Sequence, residues 1–208
     1  MFSHATNDAR GVNSLSSRSK KGRPVDKWAA KQYFTISSPE FIGGGKSIGE
    51  TVADEPDRLV GRILEVPLSD LTGDYSRQHV TLQFQIEKVV GEDAKTSFKG
   101  HYYSRDYLRF LVRRRRTRID AIVGVRTEDN VPLRITITGF TAQRAKTSQK
   151  DGMRKVMIRT VKELAEKTPF EQFVQDITLG KVGSEIYNAC KKIFPLKRVE
   201  VQKTKVLR

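Results

Sequence analysis

Val80, Leu82, Phe84 and Ile86 alternate with Thr81, Gln83, Gln85 and Glu87. Successive side chains of a strand point to opposite faces, so this spacing commits the segment to a half-buried β-strand. "GEDAK" then turns the chain, and "TSFKGHYY" is placed to return antiparallel. The same period recurs further on. Ile119, Ala121, Val123 and Val125 form one apolar face, "TEDNVP" supplies turn residues, and Leu133, Ile135 and Ile137 form the return strand. "RLVGRILEV" is another strand candidate. Short turns between such segments imply a mainly antiparallel sheet, curled and barrel-like.

The later third changes period. Met153, Met157, Val161 and Leu164 recur at helical spacing, with Lys155, Arg159 and Lys162 on the opposite side. "TPFE" opens a second helix in which Thr168 is the expected N-cap and Glu171 closes a capping box. Gly180 is expected to end it, and "SEIYNACKKIF" forms a third helix stopped by Pro195. "KRVEVQKTKV" alternates again and is expected to rejoin the sheet as an edge strand. The fold class is therefore α+β: a barrel-like curled sheet, a mid-chain helix and C-terminal helices. Residues 1–24 lack apolar periodicity and read as a disordered basic tail, leaving 25–208 as a single domain.

The 208 residues carry 39 Lys and Arg against 24 Asp and Glu, a net charge of +15, and the excess is clustered. Residues 35–100 hold seven basic and eleven acidic groups, whereas residues 101–118 hold seven arginines against Asp106 alone. Residues 141–167 hold eight and three, and residues 191–208 seven and one. A solubilising surface interleaves its signs; separated basic blocks look like contact surfaces for a polyanion. Nucleic acid is the first candidate. An anionic membrane is second, but no run of 18 apolar residues spans a bilayer and no signal peptide opens the chain.

The densest block is "FLVRRRRTRIDAIVGV". A helix capped by Ser104 is expected to run from Arg105 to about Arg116, placing Arg105, Arg109, Arg113 and Arg116 on one stripe. Arg114 and Arg115 leave that stripe as the helix ends, and Arg118 follows. The other RNA-binding candidates are Lys20, Lys21 and Arg23 in the tail, and Lys27, Trp28 and Lys31 in "DKWAAKQYF". In that stretch charge is interleaved with Tyr33 and Phe34, whose rings suit unpaired bases, although Trp28 is equally suited to a core. "TAQRAKTSQKDGMRK" and its helix add Arg144, Lys146, Lys150, Arg154, Lys155 and Arg159, and the C-terminal strand adds Lys197, Arg198, Lys203 and Lys205.

Catalytic patterns are missing. Gly45-Lys46-Ser47 matches the end of a phosphate loop, yet Glu40 stands where its first glycine belongs, so a surface turn is the better reading. His4, His79, His101 and Cys190 have no zinc-ligand spacing, and Cys190 lies on an apolar stripe as a buried thiol. Asp70 and Asp74 read as turn residues. No enzyme, cofactor, metal or small-molecule substrate is expected.

"DKWAAKQYFTISSPEF", "GRILEVPLSDLTGDYS", "FKGHYYSRDYLRFLVRRRRTRIDAIVGV", "RAKTSQK" and "SEIYNACKKIFPLKRVEVQKTKVL" together resemble the small-subunit ribosomal protein family called S-three-a-e (eS-one). The resemblance runs from about Asp26 to the end, and its archaeal form is favoured because the chain ends at Arg208 without a long extension. It implies a cytoplasmic ribosomal constituent bound to small-subunit ribosomal RNA on the platform near the mRNA exit site. It also implies neighbouring platform proteins as partners. The alternative is a free RNA-binding regulator or RNA chaperone using the same surfaces.

Overall fold

The computed structural model describes Trp28 and residues 31–207, of which 31 onward form one compact unit. The expected tail, with Lys20, Lys21, Arg23 and Lys27, lies outside the described residues. In chain order the elements are β1 (Gln32–Ser37), β2 (Ser47–Ala53), β3 (Ile63–Pro67), α1 (Leu68–Thr72), β4 (Val80–Val90) and β5 (Asp93–Tyr103). They continue with α2 (Arg105–Leu111), β6 (Arg118–Arg126), β7 (Pro132–Thr141), α3 (Thr147–Lys167), α4 (Phe170–Thr178), α5 (Lys181–Lys191) and β8 (Leu196–Val206).

The eight strands form one sheet in the order β2-β1-β5-β8-β7-β6, with β4 paired to β5 and β3 paired to β4. All pairings are antiparallel except β1 with β5. The fold is α+β, as expected, but the sheet is mixed and not closed into the expected barrel. It branches at β5 and keeps open edges at β2, β3 and β6. One flank of β5 pairs with β1 over Asp93–Lys95 and with β8 over Gly100–Tyr102, while β4 occupies the other flank. Register shifts in β4 after Gln83 and Ile86 bend that ribbon, so its two ends meet different strands rather than closing a ring. Gly100 makes the second meeting possible, because a Cβ there would lie 2.4 Å from the Thr204 carbonyl oxygen.

β8 also departs from expectation. It is not an edge strand but sits between β5 and β7, bonded on both sides. Alternation specifies which face of a strand is buried, not how many neighbours it has.

Burial follows the alternation. Ile119, Ala121, Val123, Val125, Leu133, Ile135 and Ile137 face Met153, Met157, Val161 and Ala165 of α3 and Ile186 and Cys190 of α5. Val80, Leu82 and Phe84 pack with Val66, Leu71, Leu108 and Val174, and Ile86 joins Phe34, Ile36 and Ala94. Truncating Met157, which is fully buried, to alanine should cost about 2–5 kcal/mol. Cys190 is buried, and burial pushes its thiol up to about 11, as a structural cysteine requires.

Two helix starts differ from expectation. Pro169, not Thr168, is the N-cap of α4. Thr168 Oγ1 instead donates to the Leu164 carbonyl at 2.8 Å, and Asp129 from the β6–β7 turn accepts the Phe170 N–H at 2.6 Å. A carboxylate distant in sequence has taken the capping role. α5 begins at Lys181, ahead of the expected "SEIYNACKKIF", because Gly180 (φ 77°) joins it directly to α4. The glycine run at 43–45 is a turn with all three φ angles positive, and Asp74 accepts the Ser76 N–H at 3.0 Å in a further turn.

Candidate nucleic-acid interface

Helix α2 is capped as expected, with the Ser104 hydroxyl accepting the Tyr107 N–H at 3.3 Å. It stops at Leu111, however, and Val112 is extended. The expected helical stripe through Arg113 and Arg116 does not form. Arg113–Arg116 instead make a turn closed by Arg116 N–H donating to the Arg113 carbonyl at 3.3 Å, with Arg115 at φ 62°. Like charges three and four residues apart disfavour helix, and the backbone just beyond is held elsewhere. Thr117 N–H donates to Thr141 Oγ1 at 2.8 Å, while Ala145 N–H donates to Thr117 Oγ1 at 3.1 Å. Thr141, fully buried, donates in turn to the Gln143 carbonyl at 2.5 Å. Two threonines thus zip the 113–118 loop to the 142–146 loop, setting Arg144 beside the arginine run.

Two clefts result. A cleft of about 950 Å³ is lined by Arg114, Arg115, Arg116, Arg118 and Arg144 with Thr117, Ala142 and Gln143. A second, of about 480 Å³, is lined by Phe110, Leu111, Arg113, Arg116, Phe140, Lys197 and Arg198. Arg116 belongs to both, so the two adjoin. Among the described residues no carboxylate lines either. Arg118 is paired with Asp120 at 2.9 Å and Arg198 with Glu200 at 2.5 Å. Arg113, Arg114, Arg115, Arg116, Arg144 and Lys197 make no ion pair among the described residues. Five guanidiniums around one cleft repel one another at any dielectric, and an external anion relieves that repulsion. Arginine forks match phosphate oxygens two at a time.

Not every expected residue joins this corner. Arg105 and Arg109 lie exposed on α2, Arg109 within 4.0 Å of Asp106. Arg154 pairs with Asp151 at 2.8 Å and Arg159 with Glu163 at 2.7 Å. Lys146 is exposed at the N-cap of α3, Lys150 is half-buried in its first turn, and Lys155 is exposed further along. Lys203 and Lys205 project from the exposed face of β8, in register with Tyr102 and Gly100. Of the aromatic stretch, Phe34 is core rather than a stacking surface, Lys31 is half-buried, Tyr33 is 69% exposed and Trp28 is 73% exposed.

Two participants were not anticipated. Phe110 of α2 is 66% exposed and lies under the Arg113 guanidinium at 4.9 Å. Its place beside the arginine run was the available signal. Arg134 on β7 stands in register with Lys205 and extends that basic face; only the strand order reveals it. Among the described residues no His, Cys, Asp and Glu group is placed to hold a metal, and no helix is long and apolar enough to cross a membrane.

A family model described as the Ribosomal S3Ae family matches residues 19–208, a span that also takes in Lys20, Lys21 and Arg23. A small ribosomal subunit protein eS1 of Methanococcus maripaludis is 43% identical over 195 residues, covering 93% of this chain and 86% of that one. The proteins of the same name from Desulfurococcus amylolyticus and Methanothermobacter thermautotrophicus are each 42% identical, covering 91% of this chain and 89% and 97% of theirs. All three organisms are archaea. With a match running from residue 19 to the C-terminus and identity sustained across nearly the whole of each relative, the chain belongs to the Ribosomal S3Ae family.

Proposed function

We propose that this chain is a structural constituent of the small ribosomal subunit that binds ribosomal RNA through the arginine corner. Its place is on the platform near the mRNA exit site, among neighbouring platform proteins, in the cytoplasm. The observation that carries the RNA reading is the pair of adjoining clefts in which Arg113, Arg114, Arg115, Arg116, Arg144 and Lys197 make no ion pair among the described residues. The printed names of the archaeal relatives supply the ribosomal context. A metabolite site would converge a few polar groups inside an apolar pocket; the corner offers charge along an open edge, as a sugar-phosphate backbone requires.

The test is binding of the full chain to transcribed small-subunit rRNA, with sedimentation of cell extract in parallel. If about six to ten phosphates are neutralised, affinity falls roughly 10³–10⁵-fold between 50 and 200 mM salt. Protein travelling with small subunits supports the ribosomal reading. A flat salt response sinks phosphate-dominated binding, and protein remaining mostly free of subunits favours a regulator or chaperone.

A further inference from the structure

A third cavity, of about 580 Å³, opens where the start of β4, the end of β5, β8 and the α4–α5 junction meet. Arg198 lines it and also lines the 480 Å³ arginine cleft, so the cavity adjoins the arginine corner. Its volume lies in the range of about 300–1,000 Å³ that encloses small ligands.

The chamber's construction is specific. A Cβ on Gly183 would lie 2.9 Å from the Val199 carbonyl oxygen, so α5 rests directly on β8 and no side chain from that position fills the floor. Arg198 is held from two sides. Its Nε donates to Glu200, and its guanidinium stands over the Tyr107 ring at 5.7 Å. Glu200 is itself buried and accepts the Tyr103 hydroxyl at 2.9 Å, which uses its second oxygen. The one carboxylate in the chamber is thus spent on orienting the arginine. Arg77 supplies a second cation, its Nε 3.5 Å from Asp74 and its Nη1 donating to the Thr178 carbonyl at 3.3 Å. Tyr187 and His79 supply ring faces, His79 being already stacked on Tyr107 at 3.8 Å. Ser76, Ser184 and Asn188, all exposed, supply neutral donors and acceptors.

Oriented guanidiniums, aromatic faces and a side-chain amide lining one cavity are what a single nucleotide needs: phosphate, base face and base edge. We propose that this chamber receives one unpaired nucleotide extruded from the RNA that the arginine corner holds, with its phosphate at Arg198 and Arg77 and its base against Tyr187 and Asn188. This rests on the RNA-binding reading above. A peptide side chain from a neighbouring protein is disfavoured, because the chamber shares Arg198 with a cationic cleft rather than adjoining an apolar surface.

The test uses the full chain bound to transcribed small-subunit rRNA, probed with dimethyl sulfate and carbodiimide, which together report all four unpaired bases. The wild-type chain should shield one isolated unpaired base in addition to a backbone footprint. Ser184→Trp places bulk in the chamber from an exposed helix position, and Asn188→Leu removes the edge contact with little change of volume. In both, that base should regain its reactivity while the backbone footprint and the salt slope persist, and affinity should fall about tenfold, the loss of one stacked base. Circular dichroism confirms that each variant folds, Asn188→Leu being the milder. Wild-type binding with identical protection in both variants overturns the chamber and leaves the RNA reading standing. Unchanged protection with loss of subunit incorporation assigns the chamber to a protein and overturns it equally. No wild-type footprint at all overturns the RNA reading itself.

Discussion

Helix α3 and the arginine corner are equally basic on paper: five cations stand between residues 150 and 162, and five arginines between 113 and 118. In three dimensions they differ. Along α3, Arg154 and Arg159 are answered by Asp151 and Glu163 three and four residues away. A helix makes such pairing automatic, because i and i+4 share a face. At the corner the helix has ended, the backbone turns, and only Arg118 and Arg198 find carboxylates. Counting charges therefore ranks the two regions alike. What separates them is company: Lys155, Arg159 and Lys162 share their stretch of α3 with Glu163 and Glu166, whereas Arg114, Arg115, Arg116 and Arg144 gather around one cleft with no carboxylate among its described lining residues.

The largest effect should come from reversing the corner. Arg113→Glu with Arg116→Glu reverses two of the charges proposed to hold phosphate, so rRNA affinity should drop roughly 10²–10³-fold at moderate salt. Because neither arginine has an ion pair among the described residues, the melting temperature should hold. A variant that binds normally but melts early would show that these arginines serve the fold, and the comparison would collapse.

Acid separates scaffold from contact surface. His101 on β5 is fully buried, its Nε2 donating to the Val201 carbonyl of β8 at 3.0 Å, and burial pushes its pKa down to about 4. The folded pKa lies below the unfolded value near 6.5, so the fold favours the neutral ring. Its contribution is fully present above pH 6.5 and is lost as pH falls toward 4, on the order of 2 kcal/mol by pH 5. Denaturant unfolding from pH 7.5 to 4.5 should show this decline, and His101→Gln should flatten it. The arginines keep their charge throughout, so weaker binding at pH 5 should track unfolding alone.

Much of the scaffold was legible because one face of each long strand is buried, which makes alternation obligatory in β4, β6 and β7. β1 and β2 were not, since Tyr33 beside Phe34 and the glycines before Ser47 read as stacking groups and a turn. The position of β8, the Asp129 cap and the Thr117–Thr141 zipper depend on partners between 24 and 100 residues away, and no local window contains them. The candidate site's charge was legible in the sequence and its shape was not: the arginine run is plain in the chain, but the end of α2 at Leu111 decided which arginines stand together.

A smaller effect probes the paired region. Arg159→Gln should change rRNA affinity less than threefold, since its charge is already matched by Glu163 at 2.7 Å. Glu163→Gln sharpens the point: it unmasks Arg159 without adding a cation. Affinity should stay level if α3 faces solvent, and a clear rise measured by the same titration would move α3 into the interface.

The smallest effect isolates strain from charge at one residue. Arg115 is held at φ 62°, where an L side chain crowds the backbone and costs about 1–2 kcal/mol that glycine would not. Arg115→Gly relieves that strain but gives the unfolded chain more freedom, about 0.5–1 kcal/mol in the other direction. The two nearly cancel, so the melting temperature should stay level or rise slightly. Affinity should nevertheless fall severalfold and the salt slope should shrink by about 0.7–0.9, one phosphate contact. Arg115→Ala loses the same charge while keeping the strain, so it should bind like the glycine variant and melt no higher. If the glycine variant binds as tightly as the parent, Arg115 holds no phosphate, and the corner's contact set shrinks to the arginines on either side of it.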